Sequence, residues 1–194
     1  MVPFYESIPD KILVKDGDGR PKYVSTREWA TGKKIMLYFS AHWCGPCRAF
    51  TPSLVEMRAK IRETYDETCE VLFISLDRSQ REFDEYWGSS MPWAAVPWDD
   101  DESRSKMTKF VKVMGIPRLV VIGQTHGVGP FKVINPDARQ ALRHGAGAFP
   151  FGLDAHQPRG LAYLNPYVRL VLGVAMWITV YEVVTKWILP WVRS

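Results

Sequence analysis

Cys44 and Cys47 are separated by two residues and stand between an apolar run, residues 35–39, and a stretch with helical periodicity. This order predicts a strand, a tight turn suited to Gly45 and Pro46, and a helix. Cys44 then lies at the helix N-terminus, where unpaired N–H groups and the helix dipole favour a thiolate. A thiol of lowered pKa attacks disulfides, and Cys47 is close enough to release the product. The pattern predicts a redox-active dithiol.

A cysteine pair with this spacing can also be half of a zinc site. The only other cysteine is Cys69, and the four histidines show no paired spacing, so the sequence disfavours a metal site. Cys69 stands among acidic residues, which indicates a structural or surface thiol rather than a third redox partner. We expect neither a metal nor an organic cofactor.

The basic net charge of +4, with a pI near 9.0, raises the alternative of nucleic-acid binding. Lysines and arginines are scattered, with no run longer than two, so we expect no nucleic-acid partner. Three cysteines are too few for a disulfide-stapled secreted scaffold, and the first residues lack the pattern of a signal peptide. A reducing compartment is therefore expected.

Apolar periodicity and turn residues give the coarse plan of the chain. Residues 11–15 and 21–24 predict an N-terminal β-hairpin around an Asp-Gly turn, and residues 25–29 a short capped helix. The turn also resembles a calcium loop, but Arg27 stands where that loop needs Glu. Further strands are expected at residues 35–39, 71–76, 119–122 and 130–134, and helices at residues 48–65, 79–87, 103–113 and 137–144. This order predicts an α/β fold, a mixed central sheet flanked by helices.

The pentapeptide from Trp43 to Cys47 is identical to the active-site motif of thioredoxins. Its surroundings, residues 38–44 and 48–52, resemble tryparedoxins and nucleoredoxins more specifically. The segments at residues 73–77, 91–93, 96–97 and 115–117 support this narrower resemblance, which runs from about residue 12 to residue 151. The resemblance implies a thioredoxin-like fold with Cys44 as nucleophile and Cys47 as resolving cysteine, joined as a redox-active disulfide.

The resemblance also implies a substrate site around the thiols. Pro117 would form a cis-proline loop that faces Cys44, with the Ile116 backbone pairing with an extended substrate chain; the alternative is a strand-entry proline. Trp43 would be a partly exposed apolar platform, the alternative being core packing. The expected substrate-binding residues are Trp43, Gly45, Pro46, Ile116 and Pro117.

Thioredoxins keep a buried aspartate as proton carrier six residues before the first cysteine, where this chain has Tyr38. Asp77, at the end of the next strand, is a candidate replacement, with helix capping as the alternative. Tyr38 and Asp77 are thus the possible members of a proton relay. His42 is expected to face solvent without a role.

The C-terminal part is a second region. Residues 170–185 carry one charge, Glu182, between Arg169 and Lys186, with aromatic residues near both ends. We expect a thioredoxin-like domain over residues 1–148, a linker over 149–166 and a transmembrane tail anchor over 167–191. The alternative, an amphipathic or buried helix docked on the domain, is disfavoured because apolar residues surround the whole helix. The redox domain would face the cytosol, with the mitochondrial outer membrane favoured over the endoplasmic reticulum.

These features together predict a membrane-tethered thiol–disulfide oxidoreductase that resembles tryparedoxin. It would reduce protein disulfides, such as those of peroxidases. A low-molecular-weight dithiol such as trypanothione, or alternatively glutathione or a reductase, would then restore its Cys44–Cys47 dithiol. The alternative is a nucleoredoxin-like binding module that regulates partners through its redox state, with little turnover.

Overall fold

The structure is a computed structural model that describes residues 8–65, 69–124 and 131–141. All of these residues belong to the first of two compact units, Met1–Ala155 and His156–Ser194. No helix within the described ranges is long and apolar enough to cross a membrane. The predicted linker and tail anchor lie outside the described residues, and the predicted domain boundaries stay predictions.

The described strands form one mixed sheet of seven strands in the order β2-β1-β5-β4-β3-β6-β7. The strands are β1 Lys11–Lys15, β2 Pro21–Ser25, β3 Lys34–Ser40, β4 Cys69–Ser75, β5 Ala94–Ala95, β6 Arg118–Gln124 and β7 Phe131–Asn135. The helices are α1 Thr26–Ala30, α2 Gly45–Tyr65, α3 Gln80–Ser90, α4 Asp101–Phe110 and α5 Ala138–Ala141. The predicted α/β class, mixed sheet and N-terminal hairpin are confirmed.

The centre of the sheet is β3, which pairs in parallel with β4 and antiparallel with β6. From its second residue onward, every residue of β3 is buried, as expected for a strand covered by helices on both faces. Because β3 and β4 are parallel, their carboxyl ends meet at one edge, where Ser40 pairs with Ser75. The loops that leave this edge carry the cysteine pair and Asp77.

Strand β5 was not predicted, because two alanines between prolines carry no periodic signal. Ala95 pairs with Leu13 of β1, and both residues of β5 pair with β4. This short strand therefore joins the N-terminal hairpin to the central sheet. Only the folded chain shows that connection.

Helix bounds differ from the predicted ones where caps decide them. Helix α2 already begins at Gly45, so Cys44 itself occupies the cap position. Helix α4 begins earlier than expected, because Asp100 accepts a hydrogen bond from the Ser103 N–H. It also ends earlier, because Lys112 adopts a left-handed φ of 51°. The predicted helix over residues 137–144 is described only as α5; its last three residues lie outside the described ranges.

Two apolar cores cover the two faces of the sheet. On one face, Leu54 and Ile61 of α2 pack with the aromatic side chains of α3. Phe50 and Met57 also pack against this core, so these four α2 residues, spaced three or four apart, form one core-facing stripe. On the other face, Met107 of α4 joins a core that includes Ile35, Leu37 and Phe39. The sheet thus holds the start of α2 in a fixed position.

The stripe of α2 should be essential for stability. Leu54 is fully buried, so Leu54→Ala removes packed atoms and leaves a cavity. We expect it to lower the free energy of unfolding by about 2–5 kcal/mol in urea titrations. Lys60→Ala on the exposed side of α2 is the control, expected within about 0.5 kcal/mol of the wild type. Equal effects of the two substitutions would contradict this packing.

Candidate active site

The Cys44–Cys47 pair lies where β3 ends and α2 begins, and the two residues form a disulfide with their Cα atoms 5.2 Å apart. The Cys44 sulfur accepts a hydrogen bond from the Cys47 N–H, with the two atoms 3.2 Å apart. Cys44 thus acts as an N-cap of α2 through its sulfur. In the reduced form the same N–H and the helix dipole would stabilise a thiolate there.

The two sulfurs are unequally accessible. Cys47 is 0% exposed and Cys44 is 6% exposed. Ala41 completes the small cluster around them, against which Leu76 and Ile116 pack. A sulfur of another molecule can therefore reach the Cys44 sulfur but not the Cys47 sulfur.

The loop before β6 forms the opposite wall of the site. The Ile116–Pro117 peptide bond is cis, as the family resemblance implied. The Ile116 carbonyl oxygen lies 3.9 Å from the Cys44 sulfur. Backbone groups of this loop are therefore beside the reactive sulfur, where an extended chain can pair with them.

Trp43 forms a platform beside the disulfide. Its side chain is 42% exposed, so the core-packing alternative is wrong. Its indole N–H donates to the Leu76 carbonyl at 3.0 Å, which fixes the ring. Gly45 and Pro46 are exposed at the start of α2, and a Cβ at Gly45 would meet no atom within 4 Å. Gly45 does not adopt a positive φ, so it leaves open space near the sulfur rather than permitting a turn.

The thioredoxin-like family profile matches residues 32–128, which is the part that carries the cysteine pair and the cis-proline. The chain belongs to the thioredoxin-like family. It is accordingly a thioredoxin-like redox protein, and its family membership supports thiol–disulfide oxidoreductase chemistry in general terms.

Relatives of this thioredoxin-like protein include nucleoredoxins and tryparedoxins. It is 49% identical to probable nucleoredoxin 1 of Arabidopsis thaliana over 121 residues, 62% of this chain and 20% of that protein. Its fold is similar to tryparedoxin from Trypanosoma brucei, with a TM-score of 0.62 and 32% identity over 80% of this chain and 98% of that one. A tryparedoxin II complexed with glutathionylspermidine matches with a TM-score of 0.62 and 29% identity over 80% and 96% of the two chains.

The chain spans about a fifth to a quarter of the length of the first curated nucleoredoxins it matches, from 20% to 26%. The matched part of the thioredoxin-like protein is therefore one region of those longer proteins. The match therefore does not establish the activities or partners of those longer proteins for this chain.

Asp77 lies under the active-site loop of the thioredoxin-like domain. Its carboxylate accepts hydrogen bonds from the His42 N–H and, at 2.7 Å, from the Ser75 hydroxyl. Burial raises the pKa of the Asp77 carboxyl, and these hydrogen bonds lower it only in part. The N-cap of α3 is Ser79, so the helix-capping alternative for Asp77 is wrong. Asp77 instead fixes the loop that precedes Trp43.

His42 is half-buried, whereas the sequence predicted a solvent-facing residue without a role. Its backbone N–H binds Asp77, and its carbonyl accepts a hydrogen bond of 2.7 Å from the Arg48 guanidinium. The main chain of His42 therefore ties the active-site loop to two charged side chains. A sequence pattern carries no signal for such main-chain contacts.

Tyr38 belongs to a buried hydroxyl cluster behind the disulfide. The cluster consists of Tyr38, Ser40, Thr51 and Tyr86. The Tyr38 and Thr51 hydroxyls both donate to the Cys47 carbonyl, at 3.3 and 3.0 Å. Burial, with a further contribution from Tyr86, raises the pKa of Tyr38 far above its ordinary value, so its phenol stays protonated. These contacts show that Tyr38 positions the Cys47 backbone, while its part in a proton relay stays a prediction.

The sequence did not identify the other members of this cluster. Thr51 lies four residues after Cys47 on α2, a spacing that places the two on one helix face and is visible in the sequence. Tyr86 comes from α3, and its Oη lies 2.6 Å from the Thr51 hydroxyl. That contact depends on how α3 packs against α2.

Cys69 is the third cysteine, and it lies in β4 with its thiol fully buried. Burial raises the pKa of this thiol, with a smaller contribution from Glu70. A buried thiol of raised pKa does not form the thiolate that disulfide exchange needs. Cys69 is therefore structural, one of the two alternatives that the sequence left open.

The raised pKa of Asp77 predicts a pH dependence of stability. A carboxyl with a higher pKa in the folded than in the unfolded protein stabilises the fold fully below about pH 4, its ordinary range. That contribution is lost as the pH rises through the folded pKa. The free energy of unfolding of the wild type, minus that of Asp77→Asn, should therefore fall from about pH 4 to pH 7.

Urea titrations at several pH values measure this difference. The exposed Asp84→Asn on α3 is the control for removing one carboxylate from the protein. A wild-type advantage over Asp77→Asn that grows with pH would contradict desolvation as the dominant influence on Asp77.

Proposed function

We propose that this thioredoxin-like protein reduces protein disulfides through Cys44 and Cys47. The observation that carries the proposal is the Cys44 sulfur, capped by the Cys47 N–H and facing the Ile116 carbonyl at 3.9 Å. This position combines a favoured thiolate with neighbouring backbone groups for a substrate chain. The cysteine at the helix cap therefore acts as the nucleophile.

The reaction proceeds in two exchanges. The Cys44 thiolate attacks one sulfur of the substrate disulfide, forms a mixed disulfide and releases the other sulfur as a thiolate. Cys47 then attacks the Cys44 sulfur, which forms the intramolecular disulfide and releases the second substrate thiolate. Two electrons pass from the dithiol to the substrate, and the two released thiolates take up the protons of Cys44 and Cys47 through solvent or Asp77.

Asp77 is the proposed proton acceptor for Cys47. Its carboxyl is buried at the edge of the sheet that carries the active-site loop, and its pKa is raised toward the range useful for proton transfer. The hydroxyl cluster holds the Cys47 carbonyl, so the backbone of the resolving cysteine keeps its place while its thiol reacts. Positioning and proton transfer are thereby divided between two sets of residues.

The proposed substrates are extended segments of proteins, such as peroxidases, that carry a disulfide. Such a segment would pair with the Ile116 backbone and rest on an apolar rim formed by Trp43, Pro46 and Pro117. The proposed reductant is a small thiol, either glutathione or a polyamine-linked dithiol such as trypanothione, or a reductase. The complex of a related tryparedoxin II with glutathionylspermidine supports access of a small thiol to a site of this kind.

A second candidate is a redox-regulated binding module with little turnover. Two observations favour it: the identity to the nucleoredoxin from Arabidopsis, and the side chain of Met114, which is 96% exposed two residues before Ile116. An exposed apolar residue near the disulfide suits a protein partner. Turnover with a disulfide substrate separates the two candidates.

Cysteine substitutions test the reductase. With insulin as substrate and dithiothreitol as reductant, Cys44→Ser should lower the rate to that of dithiothreitol alone, because the nucleophile is lost. Cys47→Ser, reduced and then separated from dithiothreitol before it is mixed with insulin, should accumulate a mixed disulfide on Cys44, seen by mass spectrometry, because no second thiol is then present to resolve it. Cys69→Ala is the matched control and should retain the wild-type rate, since the thiol of Cys69 is buried. An unchanged rate with Cys44→Ser would exclude the enzyme.

For the C-terminal region we propose that residues 167–191 anchor the redox domain to an intracellular membrane, with the mitochondrial outer membrane favoured over the endoplasmic reticulum. The support is the sequence pattern alone, a long apolar stretch bracketed by Arg169 and Lys186. After expression in cells, the full chain should resist carbonate extraction from membranes, and a chain ending at Pro166 should be released. Release of both would exclude insertion.

A further inference from the structure

A cation lies directly on the exposed platform of the proposed active site. The guanidinium carbon of Arg78 is 4.8 Å from the centre of the Trp43 ring, close enough for a cation–π contact. The ring itself is fixed by its hydrogen bond to the Leu76 carbonyl. Because Trp43 immediately precedes Cys44, Arg78 places a positive charge beside the surface on which a partner of that sulfur must rest.

This charge is not neutralised within the described part of the chain. Arg78 forms no ion pair there, and the nearby Glu82 instead accepts a hydrogen bond of 2.9 Å from the Arg78 backbone N–H. The Asp77 carboxylate is buried and directed to the His42 N–H and the Ser75 hydroxyl. The carboxylates of Asp77 and Glu82, the two nearest to Arg78 in sequence, therefore accept hydrogen bonds from other groups and do not pair with the Arg78 guanidinium.

A second exposed cation contacts the loop that presents Trp43 and Cys44. Arg48 follows Cys47 in α2, and its guanidinium donates to the carbonyl of His42, two residues before Cys44. Arginine side chains from two other segments thus contact this loop, one at Trp43 and one at His42. Charges at the rim of a site steer ligands of opposite charge and repel ligands of like charge.

We propose that Arg78 is a specificity-determining residue that makes the Cys44–Cys47 pair prefer anionic over cationic small disulfides and thiols. This inference rests on the proposed function and narrows it. Of the two small thiols considered as reductant, glutathione carries a net negative charge, whereas a polyamine-linked dithiol carries an amine cation. The guanidinium on Trp43 attracts the carboxylates of the first and repels the amine of the second.

Single-turnover exchange tests this preference. The full chain is reduced with dithiothreitol, separated from it, and mixed with one of three disulfides: glutathione disulfide (anionic), bis(2-hydroxyethyl) disulfide (neutral) or cystamine (cationic). Each reaction converts the Cys44–Cys47 dithiol to its disulfide and the small disulfide to two thiols. The rate constant for each charged disulfide is divided by the rate constant for the neutral one. This ratio reports the effect of the ligand's charge independently of the reactivity of the Cys44 sulfur.

Arg78→Gln removes the charge, Arg78→Glu reverses it, and Arg78→Lys keeps it. We expect the ratio of the glutathione disulfide rate to the cystamine rate to fall about fivefold with Arg78→Gln and further with Arg78→Glu, with little change for Arg78→Lys. The differences should shrink at about 0.5 M salt, where screening is strong. Lys22→Gln, on strand β2 at the far edge of the sheet, is the control for net charge and should leave the ratio unchanged.

The outcomes distinguish this inference from the proposed function. Suppose that the wild type reacts with the neutral disulfide. If the ratio of the glutathione disulfide rate to the cystamine rate is then the same in the wild type and in the three Arg78 variants, Arg78 does not select by charge and the inference fails. If the ratio falls equally with Lys22→Gln, the effect belongs to overall charge, and the inference also fails. If the wild type reacts with none of the three disulfides, the proposed function itself fails.

Discussion

The hydrogen bond from the Cys47 N–H to the Cys44 sulfur is the contact around which the rest of the active site is arranged. It exists because α2 begins at Gly45, one residue after Cys44. The helix can begin there because its inner face, through Leu54 and Ile61, is packed against the sheet. Packing far from the disulfide thus fixes the orientation of an N–H that favours a thiolate.

Two polar groups hold this arrangement from opposite sides. Asp77 binds the backbone of His42 on the loop before Cys44, and the hydroxyl cluster binds the carbonyl of Cys47 after the turn. Both groups are buried, where an unpaired polar atom is costly, and each makes hydrogen bonds to the main chain of the active-site turn. Tyr38 occupies the position at which thioredoxins have an aspartate. Its hydroxyl donates a hydrogen bond to the backbone carbonyl of Cys47.

The surface of the site is separate from this buried support. Trp43 and the cis Ile116–Pro117 loop flank the sulfur, and Arg78 lies on the indole ring. The buried contacts hold the cysteine pair in place, and the exposed groups are the ones that we propose select its partners.

Much of the fold followed from local patterns. The hairpin, the buried strands β3, β4 and β6, and the helix after the cysteines were predictable because periodicity and turn residues act over a few neighbouring positions. The cis bond before Pro117 followed from the family resemblance and not from local physics. Strand β5 was not predictable, since its two alanines become a strand only between β1 and β4.

The sequence by itself determined the redox chemistry, because two cysteines one helical turn apart at a strand–helix junction are sufficient for dithiol exchange. Tertiary structure decided the roles of the groups around them. Tyr38 and Tyr86 meet at Thr51, and Arg78 meets Trp43, only because separate elements end at the same edge of the sheet. A side chain's partner across the fold depends on packing between elements, which no spacing along the chain specifies.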